Sequence, residues 1–203
     1  MSEFDLFGDV PAPAPRPRQA RAPAAARQSG KRYSWFFAIR PSTEDAARID
    51  AFAQTLHAAL GVAGRRIGPE RLHISLDAVG DDVDEATVHA ACRAADAVRL
   101  PAMTARLDAA VTFSGPSGPF VLLGAGGLDG VRELRTALGC ALADHGFKPP
   151  RAFEPHMTLS YDPHNRVDRT RIEPIEFQVA GFALIKSHLG QSLHEVVRTW
   201  ALD

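Results

Sequence analysis

The chain has 203 residues, 45% of them hydrophobic, and its 23 Lys and Arg against 24 Asp and Glu give a formal net charge of −1. That length suits one compact domain with its own core, while no apolar run approaches the roughly 18 residues of a membrane span and the N-terminus lacks the apolar stretch of a signal peptide. The expectation is a soluble, cytoplasmic, monomeric protein whose two cysteines, Cys92 and Cys140, are buried free thiols, because they lack the spacing of a zinc or redox site.

Residues 1–32 read as a disordered tail. From residue 10 onward it is rich in Pro, Ala and Arg, with Arg16, Arg18, Arg21, Arg27, Lys31 and Arg32 and no acid, a composition that builds no core. The remainder, 33–203, holds 17 basic and 21 acidic residues and is therefore net −4. Such a globule is no general nucleic-acid binder, and if it acts on RNA it suits a chain end better than a long backbone. One apolar cluster interrupts the tail, Glu3-Phe4-Asp5-Leu6-Phe7, which resembles the bacterial sliding-clamp-binding pentapeptide with Glu3 in place of its leading Gln. A tethered docking peptide is one reading and a plain solvated linker the other.

Along the folded part, Tyr33 to Ile39 predicts a strand stopped by Pro41. Ser42 or Thr43 can then cap a helix with Ile49, Phe52, Ala53, Leu56 and Leu60 on its apolar face and Gly61 at its end. Next come a strand at Leu72 to Leu76, an acidic cap at Asp81-Asp82, and a helix buried through Val88, Ala91, Cys92, Ala95 and Val98. Two strands follow near Met103 to Phe113 and Phe120 to Gly124, then a helix buried through Val131, Leu134, Leu138, Ala141 and Leu142 that ends at Gly146. A strand at Met157 to Tyr161, an apolar run from Phe177 to Ile185 and a last strand from Glu195 to Leu202 complete the chain. This order predicts an α+β protein with a mainly antiparallel sheet. Its strand–helix–strand pattern occurs twice, which predicts two pseudo-symmetric lobes of sheet with packed helices and a cleft between them.

Two strings carry the chemistry, His73-Ile74-Ser75-Leu76 and His156-Met157-Thr158-Leu159. Chance expects only about 0.07 such tetrads in a chain of this composition, so the repeat points to one shared site. In a strand, residues i and i+2 project from one face, so each His points with its hydroxyl partner. Two imidazoles and two hydroxyls around one pocket suit a phosphodiester. One neutral His accepts a proton from the attacking oxygen, the protonated one gives a proton to the leaving oxygen, and the hydroxyls donate to the non-bridging oxygens. This chemistry calls for no metal and no cofactor. The remaining histidines, His57, His89 and His145 in helices and His164, His188 and His194 near turns or strands, lack the hydroxyl partner and read as structural. Gly124, Gly126 and Gly130 mimic a dinucleotide-binding loop, but the strand after the helix carries His156 and Thr158 rather than the expected acid, so a turn and helix entry explain them.

The paired tetrads resemble the 2H phosphoesterases, and within them the RNA 2',3'-cyclic phosphodiesterases, formerly called 2'-5' RNA ligases. The resemblance extends to Trp35-Phe36-Phe37-Ala38-Ile39 with Pro41, to Arg71-Leu72-His73 with Gly80, to Phe153, Pro155 and His156, to Leu184-Ile185-Lys186-Ser187 and to Trp200-Ala201-Leu202, and so covers residues 33–203. It implies metal-independent opening of a ribose 2',3'-cyclic phosphate at an RNA 3' end to a 2'-phosphate, with His73 as proton donor and His156 as proton acceptor. Run in reverse it implies 2'-5' ligation. Alternatives are a small cyclic nucleotide or cyclic ADP-ribose phosphate as substrate, or a module that binds a phosphate end without turnover. The chain departs from the family pattern at Ser75, which replaces a Thr but keeps the hydroxyl, and at Asp77, which shares the face of His73 and Ser75 if the strand continues regularly. It departs again at Tyr161, where some relatives carry a phosphate-binding Arg; strand alternation points the phenol away from His156, so it either covers the lobe's core or is swung toward the phosphate by a turn at Asp162-Pro163.

Overall fold

The computed structural model describes residues 30–149 and 152–203, and the apolar cluster Glu3 to Phe7 lies outside them. No helix among the described residues is long and apolar enough to cross a membrane. The elements run β1 (Tyr33–Ile39), α1 (Thr43–Leu60), β2 (Arg65–Arg66), a 3-10 turn at Pro69–Arg71, β3 (Ile74–Asp81), α2 (Glu85–Ala95), β4 (Met103–Thr112), β5 (Pro119–Leu123), α3 (Asp129–Asp144), β6 (His156–Tyr161), β7 (Thr170–Val179), β8 (Gly181–His188) and β9 (Leu193–Ala201).

Local chemistry sets the main boundaries. The Ser42 hydroxyl accepts the Asp45 amide at 3.0 Å to start α1, and Gly61, at a φ of 67° that L side chains resist, ends it. The acidic pair expected to cap α2 does other work. Lys31 pairs with Asp81 at 2.6 Å, the Asp82 carboxylate accepts the amides of Arg32 and Tyr33 at about 3 Å, and Asp84 is the residue that caps α2. The apolar run from Phe177 to Ile185 is divided at Ala180 between β7 and β8, two strands at distant places in the sheet. Cys92 is half-buried and Cys140 is exposed rather than buried, because Cys140 lies off the Val131, Leu134, Leu138 and Leu142 stripe by which α3 meets the core.

The strands form one sheet in the order β7-β4-β5-β6-β3-β1-β8-β9, antiparallel throughout, with β2 pairing β6. Two lobes meet where β3 and β6 pair at Ile74 and Met157. One lobe is β3-β1-β8-β9 and the other β6-β5-β4-β7, so the order reads the same outward from the junction. The equivalence holds residue by residue, at a constant displacement of 83 positions from His73 to His156 and from Phe37 to Phe120. Phe37 faces Asp77 and Ala38 faces Ser75, just as Phe120 faces Ser160 and Val121 faces Thr158. Both ladders thereby skip one leucine, Leu76 or Leu159, which makes a β-bulge in each motif strand.

The bulges turn the following residue toward the helices. Asp77 therefore leaves the face of His73 and Ser75, contrary to regular alternation, and pairs with Arg135 of α3 at 3.6 Å. In the other lobe Ser160 donates to Nε2 of His57 on α1 at 2.8 Å, while Nδ1 of that ring donates to the Ala53 carbonyl at 2.6 Å. Each lobe's helix thus reaches beneath the other lobe's motif strand, α1 under β6 and α3 under β3, where Arg135 also donates to the Leu76 carbonyl at 3.3 Å. The main core lies on this helix side and runs continuously from Phe37, Ile39 and Ile74 to Phe120, Leu122 and Met157. Two small apolar clusters line the opposite face, Ala38, Ala183 and Ile185 in one lobe and Ala109, Val121 and Leu123 in the other.

Candidate active site

The face away from the helices carries both motifs. Continuing the register outward from the Ile74–Met157 pair places His73 beside Thr158 and His156 beside Ser75, so each imidazole neighbours the hydroxyl of the opposite lobe. Nδ1 of His73 donates to the Arg71 carbonyl at 2.7 Å and Nδ1 of His156 donates to the Glu154 carbonyl at 2.8 Å. A carbonyl only accepts, so Nδ1 holds the proton in each ring and Nε2 is left for proton transfer. The two carbonyls are themselves related by the displacement of 83. Ser75 is exposed and Thr158 half-buried, and neither hydroxyl has a side-chain hydrogen bond to the described residues.

The surroundings of the two histidines differ. His73 has the Phe36 ring 5.2 Å away and the ring of His194, from β9, 5.3 Å away and nearly perpendicular. His156 has the Phe113 ring edge-on at 5.0 Å. Burial holds the pKa of His73 below the usual imidazole value, and the nearby positive groups His156, Arg40 and Arg71 act in the same direction. His194 is pushed down to about 4, again by burial first and then by His73, Arg71 and Arg40. Arg40 is steadied by donating to the Glu70 carbonyl at 2.9 Å.

Tyr161 lies in β6 itself, and no turn is needed to aim it. The bulge at Leu159 resets alternation, so Tyr161 returns to the face of Thr158, where it is 50% exposed. Its partner across the ladder is Arg65 of β2, also exposed, whose neighbour Arg66 turns to the helix side and pairs with Asp50 at 2.9 Å. β2 lies this close to β6 because position 64 is glycine; a Cβ there would collide with the Tyr161 carbonyl.

The sequence pattern thus identifies His73, Ser75, His156, Thr158 and Tyr161, and the fold brings all five to one face of the sheet. It overlooks His194, which lacks a hydroxyl partner and reaches His73 only because β8 and β9 fold back beside β1. Phe113 and Arg40 carry no local signal either. His57 is structural, as its two hydrogen bonds require. The glycines after β5 let the chain pass Arg106 and Met103 into α3, and the strand that follows returns antiparallel beside β5, unlike a dinucleotide-binding unit. Among the described residues, no group of three or more His, Cys, Asp or Glu is placed to hold a metal ion.

The family model described as 2'-5' RNA ligase superfamily matches residues 41–191. The crystal structure of E. coli LigT complexed with 3'-AMP is 25% identical with a TM-score of 0.70, covering 84% of this chain and 98% of that one. The apo form of the same protein is 26% identical with a TM-score of 0.69, covering 85% and 98%. A protein of Thermus thermophilus, TT0787, is 21% identical and shares the fold with a TM-score of 0.65, covering 83% of this chain and 97% of its own. No curated protein sequence matches the chain.

Proposed function

Given that the chain belongs to the 2'-5' RNA ligase superfamily, we propose that it is a metal-independent phosphodiesterase that opens a ribose 2',3'-cyclic phosphate at an RNA 3' end and leaves a 2'-phosphate. The observation that carries this reading is the matched pair of imidazoles, each with Nδ1 tied to a backbone carbonyl two residues back and Nε2 free. In the proposed reaction a water oxygen attacks phosphorus while Nε2 of His156 takes its proton. The bond from phosphorus to the 3' oxygen breaks, and His73 gives that oxygen its proton. Ser75 and Thr158 donate to the non-bridging oxygens, and the phenol of Tyr161 contacts the phosphate from further along β6.

The unequal surroundings support this division of roles. Burial and neighbouring cations make protonated His73 a stronger acid than an exposed histidine, which favours proton release to a departing alkoxide. The negative charge of a bound phosphate opposes those cations and restores the protonated form in the complex. With a 5'-hydroxyl RNA end in place of water as the attacking group, the same step breaks the bond to the 3' oxygen and makes a 2'-5' linkage. A free cyclic mononucleotide is the second reading, favoured by the mononucleotides 3'-AMP and ATP held by the E. coli relative in separate structures.

The test is product analysis. A short RNA with a 2',3'-cyclic end and a 2',3'-cyclic mononucleotide are each incubated with the protein in excess EDTA, and the phosphate position is read by phosphorus NMR. A 2'-phosphate from the RNA is the expected result. Binding without turnover of either substrate, or activity that returns only with a divalent ion, would overturn the proposal.

A further inference from the structure

A straight cross-strand row leads away from the active site over one lobe. His156 faces Leu123 on β5, Leu123 faces Ala109 on β4, and Ala109 faces Arg171 on β7. Cross-strand partners share a face, and the next residue, Ile172, is in the main core, so Arg171 lies on the same side of the sheet as His156. Three strand spacings separate them, about 14 Å between backbones. The residues between, Leu123 and Ala109, carry no charge.

At the far end of the row is a cavity of about 440 Å³ lined by Asp108, Ala109, Ala125, Arg169 and Arg171. Its one carboxylate is already engaged, since Asp108 accepts the Ala125 amide at 2.9 Å. Neither Arg169 nor Arg171 has an ion pair or a side-chain hydrogen bond among the described residues. Their neighbours do: Arg166 donates to the carbonyls of Phe113 and Gly115 at 2.8 and 2.6 Å, and Arg106 meets Glu176 at 3.4 Å. The equivalent row of the other lobe, continued by one position from the Ile39–Ile74 pair, runs from His73 through Arg40 and Gly181 to Ala201, so its cation stands next to the histidine and its far end carries none.

We propose that Arg171, assisted by Arg169, binds the phosphate on the 5' side of the terminal nucleotide, so that this site is fitted to the end of an oligoribonucleotide rather than to a free cyclic nucleotide. The inference rests on the phosphodiesterase reading of the His73 and His156 site. It gives the substrate a direction, with the chain leaving over the lobe of β5, β4 and β7. It also explains how a domain of net negative charge holds RNA, through a few placed cations instead of a general basic surface.

The experiment compares kcat/KM for a trinucleotide ending in a 2',3'-cyclic phosphate with that for a 2',3'-cyclic mononucleotide, in wild type, Arg171→Gln and Arg169→Gln/Arg171→Gln. The trinucleotide-to-mononucleotide ratio is expected to fall about tenfold in the single variant and further in the double, the scale of a charge-assisted hydrogen bond to phosphate. The salt dependence of trinucleotide KM should flatten by about 0.7 per lost contact in a double-logarithmic plot. A ratio and salt slope equal to wild type in the double variant would overturn the inference. If wild type turns over neither substrate, the phosphodiesterase reading fails. The same comparison is then made as binding of 3'-phosphorylated trinucleotide and mononucleotide by fluorescence anisotropy, and it decides the role of Arg171 by the same ratio.

Discussion

The two lobes share a framework and differ in what they place around it. At a displacement of 83 positions they repeat the histidine, the hydroxyl, the carbonyl that fixes Nδ1 and the bulge after the motif. The residue after the bulge does not repeat: Asp77 meets Arg135 as an ion pair, whereas Ser160 meets His57 as a neutral hydrogen bond. Nor do the rings beside the histidines, Phe36 with His194 on one side and Phe113 on the other. A symmetric frame supplies two imidazoles in one tautomer, and in the proposed reaction their unequal surroundings are what would separate an acid from a base.

The most severe way to break the pairing is to remove either imidazole. His73→Ala and His156→Ala should each lower kcat by about 10² to 10⁴, the usual contribution of one general acid or base. If the two act in one step, as proposed, the double variant should lose far less than the product of the single losses. The kcat/KM profile should be bell-shaped. Since the free-enzyme pKa of His73 is lowered, its protonated form declines as pH rises through a value below about 6.5, which puts the basic limb on the acid side of an ordinary histidine. A basic limb well above that value would reverse the assignment of donor and acceptor. Near-normal rates in either single variant would remove that histidine from the chemistry.

Beneath the motifs the comparison is one of stability. Arg135→Met leaves the half-buried Asp77, whose Oδ2 already lacks a hydrogen bond, without its ion-pair partner, and should cost about 3 kcal/mol. That is the low end for a broken buried pair, because burial already raises the Asp77 pKa and eases its protonation. Ser160→Ala leaves Nε2 of His57 without its donor, at about 1 to 2 kcal/mol. In a chain of 203 residues these correspond to Tm losses of roughly 6 to 12 °C and 2 to 8 °C, respectively. Equal losses in calorimetry would mean that the ion pair and the neutral bond are equivalent supports.

Much of this asymmetry was not legible in the sequence. The paired tetrads, the three helices and the two-lobed order follow from periodicity and repetition, which are local signals. The bulges are not: Leu76 and Leu159 look like ordinary strand residues, and only the register against Phe37 and Phe120 shows that each is skipped. Regular alternation therefore misplaced Asp77 and pointed Tyr161 away from the site. His194 escaped for a related reason, since its nearness to His73 depends on how β9 folds back through β8. Likewise, one apolar run serves both lobes because the chain crosses between them at Ala180, and hydropathy carries no mark of that crossing.

A finer comparison concerns the hydroxyls. Ser75→Ala and Thr158→Ala should each lower kcat/KM by about 1 to 3 kcal/mol of transition-state stabilisation, the value of a hydrogen bond to a charged oxygen. Thr158 should be the more costly of the two, because its extra methyl restricts the rotamer that Ser75 must find for itself. The pair Ser75→Thr and Thr158→Ser sharpens this point: the first should raise activity slightly and the second lower it. Unchanged kinetics in both alanine variants would take the hydroxyls out of the site.

The smallest expected effect lies at Tyr161, whose counterpart at the displacement of 83 is Ala78. One lobe thus carries a phenol where the other carries a methyl, two positions beyond the skipped leucine. Tyr161 is half exposed and borders Arg65 across the ladder, so its ring contributes little to the core, and its hydroxyl has no hydrogen-bond partner among the described residues. Tyr161→Phe keeps the ring and removes only that hydroxyl. It should raise KM by a few-fold, corresponding to about 0.5 to 1.5 kcal/mol for one hydrogen bond, while Tm stays within the error of the measurement. The opposite pattern, normal KM with a lowered Tm, would show that the phenol supports the lobe and that phosphate binding depends on the cations alone.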